Sequence, residues 1–133
     1  MTIRMAASMR TARVTAIETD AGTAAKVEIR TGAPPTNLTD ADTGTLLVAY
    51  TLASDWATQA SGVLTFSSTP IAGTASGTGA AGHYRFKTNG GTIKMDGTVT
   101  ATGGGGDMTV DNTSIANGQT VNITGWTITD GNA

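Results

Sequence analysis

The sequence predicts a mainly β fold: a β-sandwich or small jelly roll of about seven to eight strands with one N-terminal helix. Three observations predict it. Apolar residues alternate with period two through most of the chain after Gly22. Two Asn-Gly pairs, Asn89-Gly90 and Asn117-Gly118, mark tight turns, and turn signals recur about every 8–12 residues in the second half. Helical periodicity shows once, near the start, in a chain about half of which is Thr, Ala and Gly. At 133 residues the length fits a single domain over 1–133, with 1–22 as a helix or arm and 25–130 as the β-sandwich.

Residues 4–19 are the helical candidate. Met5, Met9, Ala12 and Ala16 recur at spacings of three and four, with Ile17 beside them, and Gly22 is placed to end the helix. Arg4, Arg10 and Arg13 are expected to lie away from that stripe. Lys26–Arg30 then alternates, with Val27 and Ile29 inward, until Thr31-Gly32-Ala33-Pro34-Pro35 stops the strand. A polar loop over 36–44 leads to a strand over Thr45–Leu52. Its face of Leu46, Val48, Tyr50 and Leu52 is backed by Leu47, Ala49 and Thr51, which suits cover on both sides. Ser54–Gly62 reads as a loop carrying Trp56, Val63–Phe66 as a short strand, and Pro70–Gly82 as a surface loop.

The clearest element is a hairpin of His83–Thr88 and Gly91–Val99 around Asn89-Gly90. A two-residue loop would set Phe86 opposite Ile93 and Tyr84 opposite Met95. Arg85 would then face Lys94, and His83 would face Asp96, on the other side of the sheet. Gly103–Gly106 is too costly in backbone entropy for regular structure. Asp107–Thr113 reads as a strand with Met108 and Val110 inward. In Thr120–Thr129, Val121 and Ile123 are one residue out of phase with Trp126 and Ile128, and a bulge at Gly125 would restore one face.

Composition excludes several functions. No run approaches the roughly 20 apolar residues of a membrane span. With no cysteine there is no disulfide framework, thiolate metal site or thiol nucleophile. Eight basic residues and a net charge of -2 argue against nucleic-acid binding. The charged fraction of 14% is low for a disordered tail. No secretory signal is visible, so synthesis in a cytoplasm is expected.

Chemistry is sparse. His83, the single histidine, pairs on paper with Asp96 on an outward sheet face, a poor place for a general base. Gly77–Gly82 spells G-x-G-x-x-G, yet a strand follows it where a dinucleotide site needs a helix. Asp40 with Asp42, and Asp107 with Asp111, lack the pattern of a calcium loop and read as solvated. The sequons at Asn37, Asn112 and Asn122 are expected by chance in a Thr-rich chain. No catalytic residue, cofactor or metal site is therefore expected. Trp126 reads as core. Trp56 reads equally as a buried residue or an exposed contact, and Arg4, Arg10 and Arg13 as solvated charges or as contacts to a carboxylate-bearing neighbour.

The order of segments resembles a family of small structural proteins among the morphogenesis products of tailed bacteriophages. The start, Met5–Ala21, resembles the family's short helix ending in Asp-Ala-Gly, here Asp20-Ala21-Gly22. Val27–Pro35 resembles its strand followed by Thr-Gly-x-x-Pro, and Thr45–Ala49 its Thr-Leu-Leu-Ala strand. Tyr84–Phe86, Met95–Val99 and Val121–Thr129 resemble its terminal β half. The chain departs from the pattern in Ile71–Gly82 and Gly103–Gly106. The resemblance implies a non-enzymatic virion protein, foremost a head decoration or cement protein on the capsid surface, made in the host bacterial cytoplasm. It implies the major capsid protein or other virion proteins as partners, and a homo-oligomer, trimer or dimer. Neither nucleic acid nor membrane is an expected partner. The residues expected at the protein interface are Arg4, Arg10, Arg13 and Trp56. A neck, tail or baseplate component is the alternative. A carbohydrate-binding module using Trp56 and Tyr50 is more distant.

Overall fold

The computed structural model describes residues 3–67 and 69–131. The chain is mainly β with one N-terminal helix, and among the described residues the strands number ten. Helix α1 (Ala7–Ala21) is followed by β1 (Lys26–Thr31), β2 (Leu46–Thr51), β3 (Ala57–Ala60), β4 (Val63–Phe66) and β5 (Ile71–Thr74). Then come β6 (Gly79–Lys87), β7 (Ile93–Ala101), β8 (Met108–Val110), β9 (Ser114–Ile115) and β10 (Thr120–Thr129). The order β2-β1-β6-β7-β8-β10-β4-β3 forms one curled sheet, with β5 also on β10 and β9 on β6. A single bridge between Val48 and Ala75 brings β5 back to β2. The sheet thus nearly closes on itself through β2, β1, β6, β7, β8, β10 and β5. The inner faces expected to pack as two layers belong to this one curled sheet.

Strand β10 makes the branch. It pairs β5 over Thr120–Ile123, β8 over Ile123–Trp126 and β4 over Thr127–Thr129. The register on β8 shifts between Ile123 and Gly125, the bulge the phase break predicted. Val121, Ile123 and Trp126 are consequently all buried. Trp126 joins an aromatic cluster: its ring centroid lies 4.0 Å from that of Phe66, 5.7 Å from Phe86 and 6.2 Å from Trp56. Its indole N–H donates to the Tyr84 hydroxyl at 3.0 Å. In a chain with few large side chains, these rings supply much of the core.

The helix runs over Ala7–Ala21 where 4–19 was expected, and its buried face is different. Val14 and Ala21 are buried and Ile17 packs on the core, while Met9, Ala12 and Ala16 face solvent. The inward row is Arg10, Val14, Ile17 and Ala21, so Arg10 lies on the face expected to be free of it. Spacing alone allowed two stripes; the contact with β3 and β4 selected the one with the β-branched residues. The Gly22 N–H closes the helix on the Glu18 carbonyl at 2.9 Å with φ +76°.

Two further expectations are corrected. The β6–β7 register pairs Phe86 with Met95, Tyr84 with Gly97 and Arg85 with Asp96, a shift of two residues. The turn spans Thr88–Thr92, because the Thr88 N–H bonds the Thr92 carbonyl and the Gly91 N–H the Thr88 carbonyl. An even shift keeps each side chain on its expected face but changes its partner, so His83 faces Thr98 and not Asp96. Second, the 54–62 and 70–82 loops contain β3, β5 and the start of β6, whose Thr, Ala and Gly residues carry little apolar signal. Gly103–Gly106 is irregular, as expected, and it lets β7 and β8 pair in parallel across a very short connection. A Cβ at Gly104 or Gly106 would meet the Thr100 side chain at 2.8 Å.

Candidate functional site

The residues expected at an interface do not share one fate. Arg4 is exposed. Arg13 is exposed, and its guanidinium pairs with Asp130 at 3.3 Å while donating to the Met5 sulfur at 3.4 Å. Arg10 is half-buried against the β3–β4 turn; a Cβ at Gly62 would meet its Cβ and Nη1 at 2.9 Å. Its Nε is buried without a partner among the described residues. The fold thus engages Arg10 at Gly62 and Arg13 at Asp130. Arg4 remains beside the exposed Ile3, with Met9 also exposed on the helix.

Trp56 is a core residue, 1% exposed, which corrects the contact reading. Its indole N–H donates to the Gly22 carbonyl at 3.0 Å. The Glu18 carboxylate accepts from the main-chain N–H groups of Trp56 and Ala57, both at 3.2 Å, and from the Gln59 amide at 2.6 Å. One side chain thus fastens the helix to β3. Tyr50 is buried as well, and its hydroxyl donates to the Val121 carbonyl at 3.0 Å. Burial pushes the Tyr50 hydroxyl well above the usual phenol range and the Tyr84 hydroxyl up to about 12. Neither Tyr50 nor Trp56 offers a face on which a sugar could stack.

The densest polar chemistry lies elsewhere. The segment 32–44 forms a strap over the outer face of β1, β6 and β7. Beneath it Arg85, 1% exposed, donates from Nε to Asp42 and from Nη1 to Asp96, each at 3.0 Å, and from Nη2 to the Asp40 carbonyl at 2.9 Å. Lys87 donates to Asp42 at 2.6 Å and to Glu28 at 3.0 Å. Arg30 holds Glu28 at 2.9 Å and Asp42 at 3.1 Å. Burial alone would raise the Asp42 carboxyl; the hydrogen bond from Lys87 and the charges of Arg30 and Lys87 outweigh it and hold it below the usual carboxylate range. Each cation faces a carboxylate, so no charge in the cluster is left unpaired.

His83 lies fully buried in the row of Arg85 and Lys87. Its Nδ1 is 2.9 Å from the Gly32 carbonyl and its Nε2 has no partner among the described residues. The other acidic residues singled out in the sequence serve as local ties. Asp107 accepts from the Thr98 main chain and hydroxyl, both at 2.8 Å, and these bonds lower its carboxyl. Asp111 is raised by burial and lowered further by the Asn122 main-chain and amide N–H groups, for a net downward shift. Among the described residues, no group of three His, Cys, Asp or Glu side chains is placed to hold a metal ion. The sequence reading missed Arg85, Asp42 and Glu18. A basic row at His83, Arg85 and Lys87 was legible in the alternation, but its loop partner 43 residues away in sequence from Arg85 was not.

No protein-family model, curated protein or solved structure gives a significant match to the chain.

Proposed function

We propose that this protein is a non-enzymatic structural component of a bacteriophage virion, a decoration or cement protein on the outer capsid lattice. The observation that carries the reading is the exposed apolar and basic surface of Arg4, Met9 and Arg13 on the N-terminal side of a nearly closed, internally tied β unit. The segment order noted in the sequence points the same way. The β unit supplies rigidity: the charged cluster and aromatic core are satisfied internally, which leaves the N-terminal end as the contact surface. The partner is the major capsid protein, through an acidic patch that Arg4 and Arg13 would meet. A capsid repeats the site many times, so a modest energy per contact gives strong retention. A homo-oligomer, trimer or dimer, would multiply it again.

The test has two parts. Electron cryo-microscopy of the intact particle is expected to show density of this size repeated over the capsid lattice; density only at a neck, tail or baseplate overturns the cement reading and favours that location. Purified protein carrying Arg4→Glu and Arg13→Glu is expected to bind capsids at least tenfold more weakly at low salt. Unchanged binding would remove the arginine contacts from the proposal.

A further inference from the structure

We infer that the N-terminal arm of one copy adds as an extended strand to the open seam between β2 and β5 of a second copy, seating Ile3 in the cavity there. The inference concerns the purified chain alone and does not depend on the virion reading. It starts from the place where the curled sheet fails to close. Ser76 and Gly77 donate to the Leu47 carbonyl at 2.9 and 3.3 Å, next to the Val48–Ala75 bridge. Beyond that bridge no ladder joins β2 to β5 among the described residues. Main-chain groups alternate along a strand, so the edge of β2 that carries Leu47 also carries Ala49 and Thr51. The Leu52 N–H confirms the phase, since it donates the other way, to Ala25 at 2.8 Å. On β5, Ala75 turns its N–H and carbonyl to Gln119 and Gly118 at 2.8 Å, so Ala72 faces the seam.

Thr51 and Ala72 therefore flank a gap with hydrogen-bonding groups turned toward it. The gap is a cavity of about 280 Å³ lined mainly by apolar atoms of Leu52, Trp56, Pro70 and Ile71. That is room for one aliphatic side chain and adjoining main chain. A sheet edge beside an apolar pocket is the arrangement that accepts an added strand.

The occupant follows from the exposed apolar residues. Ile3 is 74% exposed, Met9 56% and Leu38 40%. Met9 is inside the helix and cannot extend. Leu38 sits in a turn closed by the Asp40 N–H on the Asn37 carbonyl at 3.0 Å. Ile3 precedes the helix, where the backbone is already extended at Ala6 (φ -60°, ψ 150°). Its own cavity is out of reach. The Thr11 side of the helix lies at Gly62 and the Gly22 end at Trp56, and the 15-residue helix spans about 22 Å. The four residues from Ile3 to Ala6 reach at most about 14 Å. Arm and seam thus sit at opposite ends of one copy, so the arm serves a second copy, either reciprocally in a two-fold pair or head-to-tail in a larger ring.

The chain has no cysteine, so an introduced pair reports the contact without background. Full-length protein carrying Ile3→Cys and Ile71→Cys, whose side chains would share the inner face, is expected to become disulfide-linked between copies when mildly oxidised at tens of micromolar. Either single variant, and the pair Met9→Cys with Ile71→Cys, would stay largely unlinked under the same conditions. Light scattering is expected to find the unmodified chain oligomeric and Ile3→Asp, with an unchanged circular dichroism spectrum, monomeric. A monomeric unmodified chain, an oligomer that Ile3→Asp leaves intact, or an Ile3–Ile71 pair that does not link overturns the inference. Failure here with retained capsid binding leaves the capsid reading standing, and the reverse result separates them equally.

Discussion

Arg85 shows how one residue organises its surroundings. It enters from the middle of β6, where alternation puts it on the face away from the aromatic core, and there it would ordinarily be solvated. The strap covers it instead. Its three nitrogens are each committed, two to carboxylates and one to the Asp40 carbonyl. Truncation would leave Asp96 without its cation and take from Asp42 one of its three, the others being Lys87 and Arg30. Removing one member of a buried charge set typically costs about 3–5 kcal/mol, mainly because the other member stays desolvated. Arg85→Ala is expected to lower unfolding stability in urea by about that amount. A loss under about 1 kcal/mol would mean that water already reaches the cluster. Glu18 works on the same principle with a neutral set of donors, where the signal in sequence was only an acidic residue near a helix end.

At the scale of elements, close approach decides what the strands can contain. Where β6 begins, Gly82 lies against the main chain of Gly32 at the root of the strap, and a Cβ there would fall within 2.7 Å of the Gly32 nitrogen. The neighbour is backbone, so it cannot swing aside. Gly82→Ala is expected to cost about 1–3 kcal/mol by forcing the strap off the sheet. Gly90, at the tip of the β6–β7 turn, is the matched control: the nearest atom to its Cβ would be the Thr88 hydroxyl at 3.8 Å. Gly90→Ala is expected to shift stability by less than about 0.5 kcal/mol. Equal effects from the two substitutions in a thermal melt would refute the strap contact. The helix makes the complementary point. Its threonines at 11, 15 and 19 donate to carbonyls one turn earlier, so these hydroxyl protons are satisfied within the helix while the Arg10–Val14–Ile17–Ala21 row takes its partners from the sheet.

For the whole molecule, the titrating groups set a window of stability. The carboxyls of Asp42, Asp107 and Asp111 are held low in the folded chain. A depressed folded value gives stability that is present above the unfolded value, near about 3.9, and is lost as pH falls through the folded values. Tyr50 and Tyr84 are pushed up, so their contribution is complete below about pH 10 and is lost as pH rises toward the folded values. The urea midpoint is therefore expected to be flat between about pH 5 and 9, to drop below about pH 4 and to drop again above about pH 10. Absorbance at alkaline pH should show tyrosinate appearing together with unfolding; tyrosinate formed near pH 10 in folded protein would contradict the burial of both rings.

Features that rest on neighbours along the chain are legible in the sequence. The single helix before Gly22, the strands at Val27, Val48, Leu64, Met108 and Val121, and the bulge at Gly125 follow from periods of two or three to four residues. Those periods act over a few residues, and burial of one face enforces them. The tertiary structure alone decided which helical face is inward, because two stripes were available and only contact with β3 and β4 chose between them. It also decided the turn at Thr88–Thr92, since a shift of two residues preserves every face and is invisible to alternation. Strands β3, β5 and β9 carry mostly small or polar residues, and they are strands because existing edges offer them hydrogen bonds. The strap belongs with these. Asp42 reaches Arg85 only after β1, β2 and β6 have assembled, and a contact made across that much chain leaves no local trace in either segment.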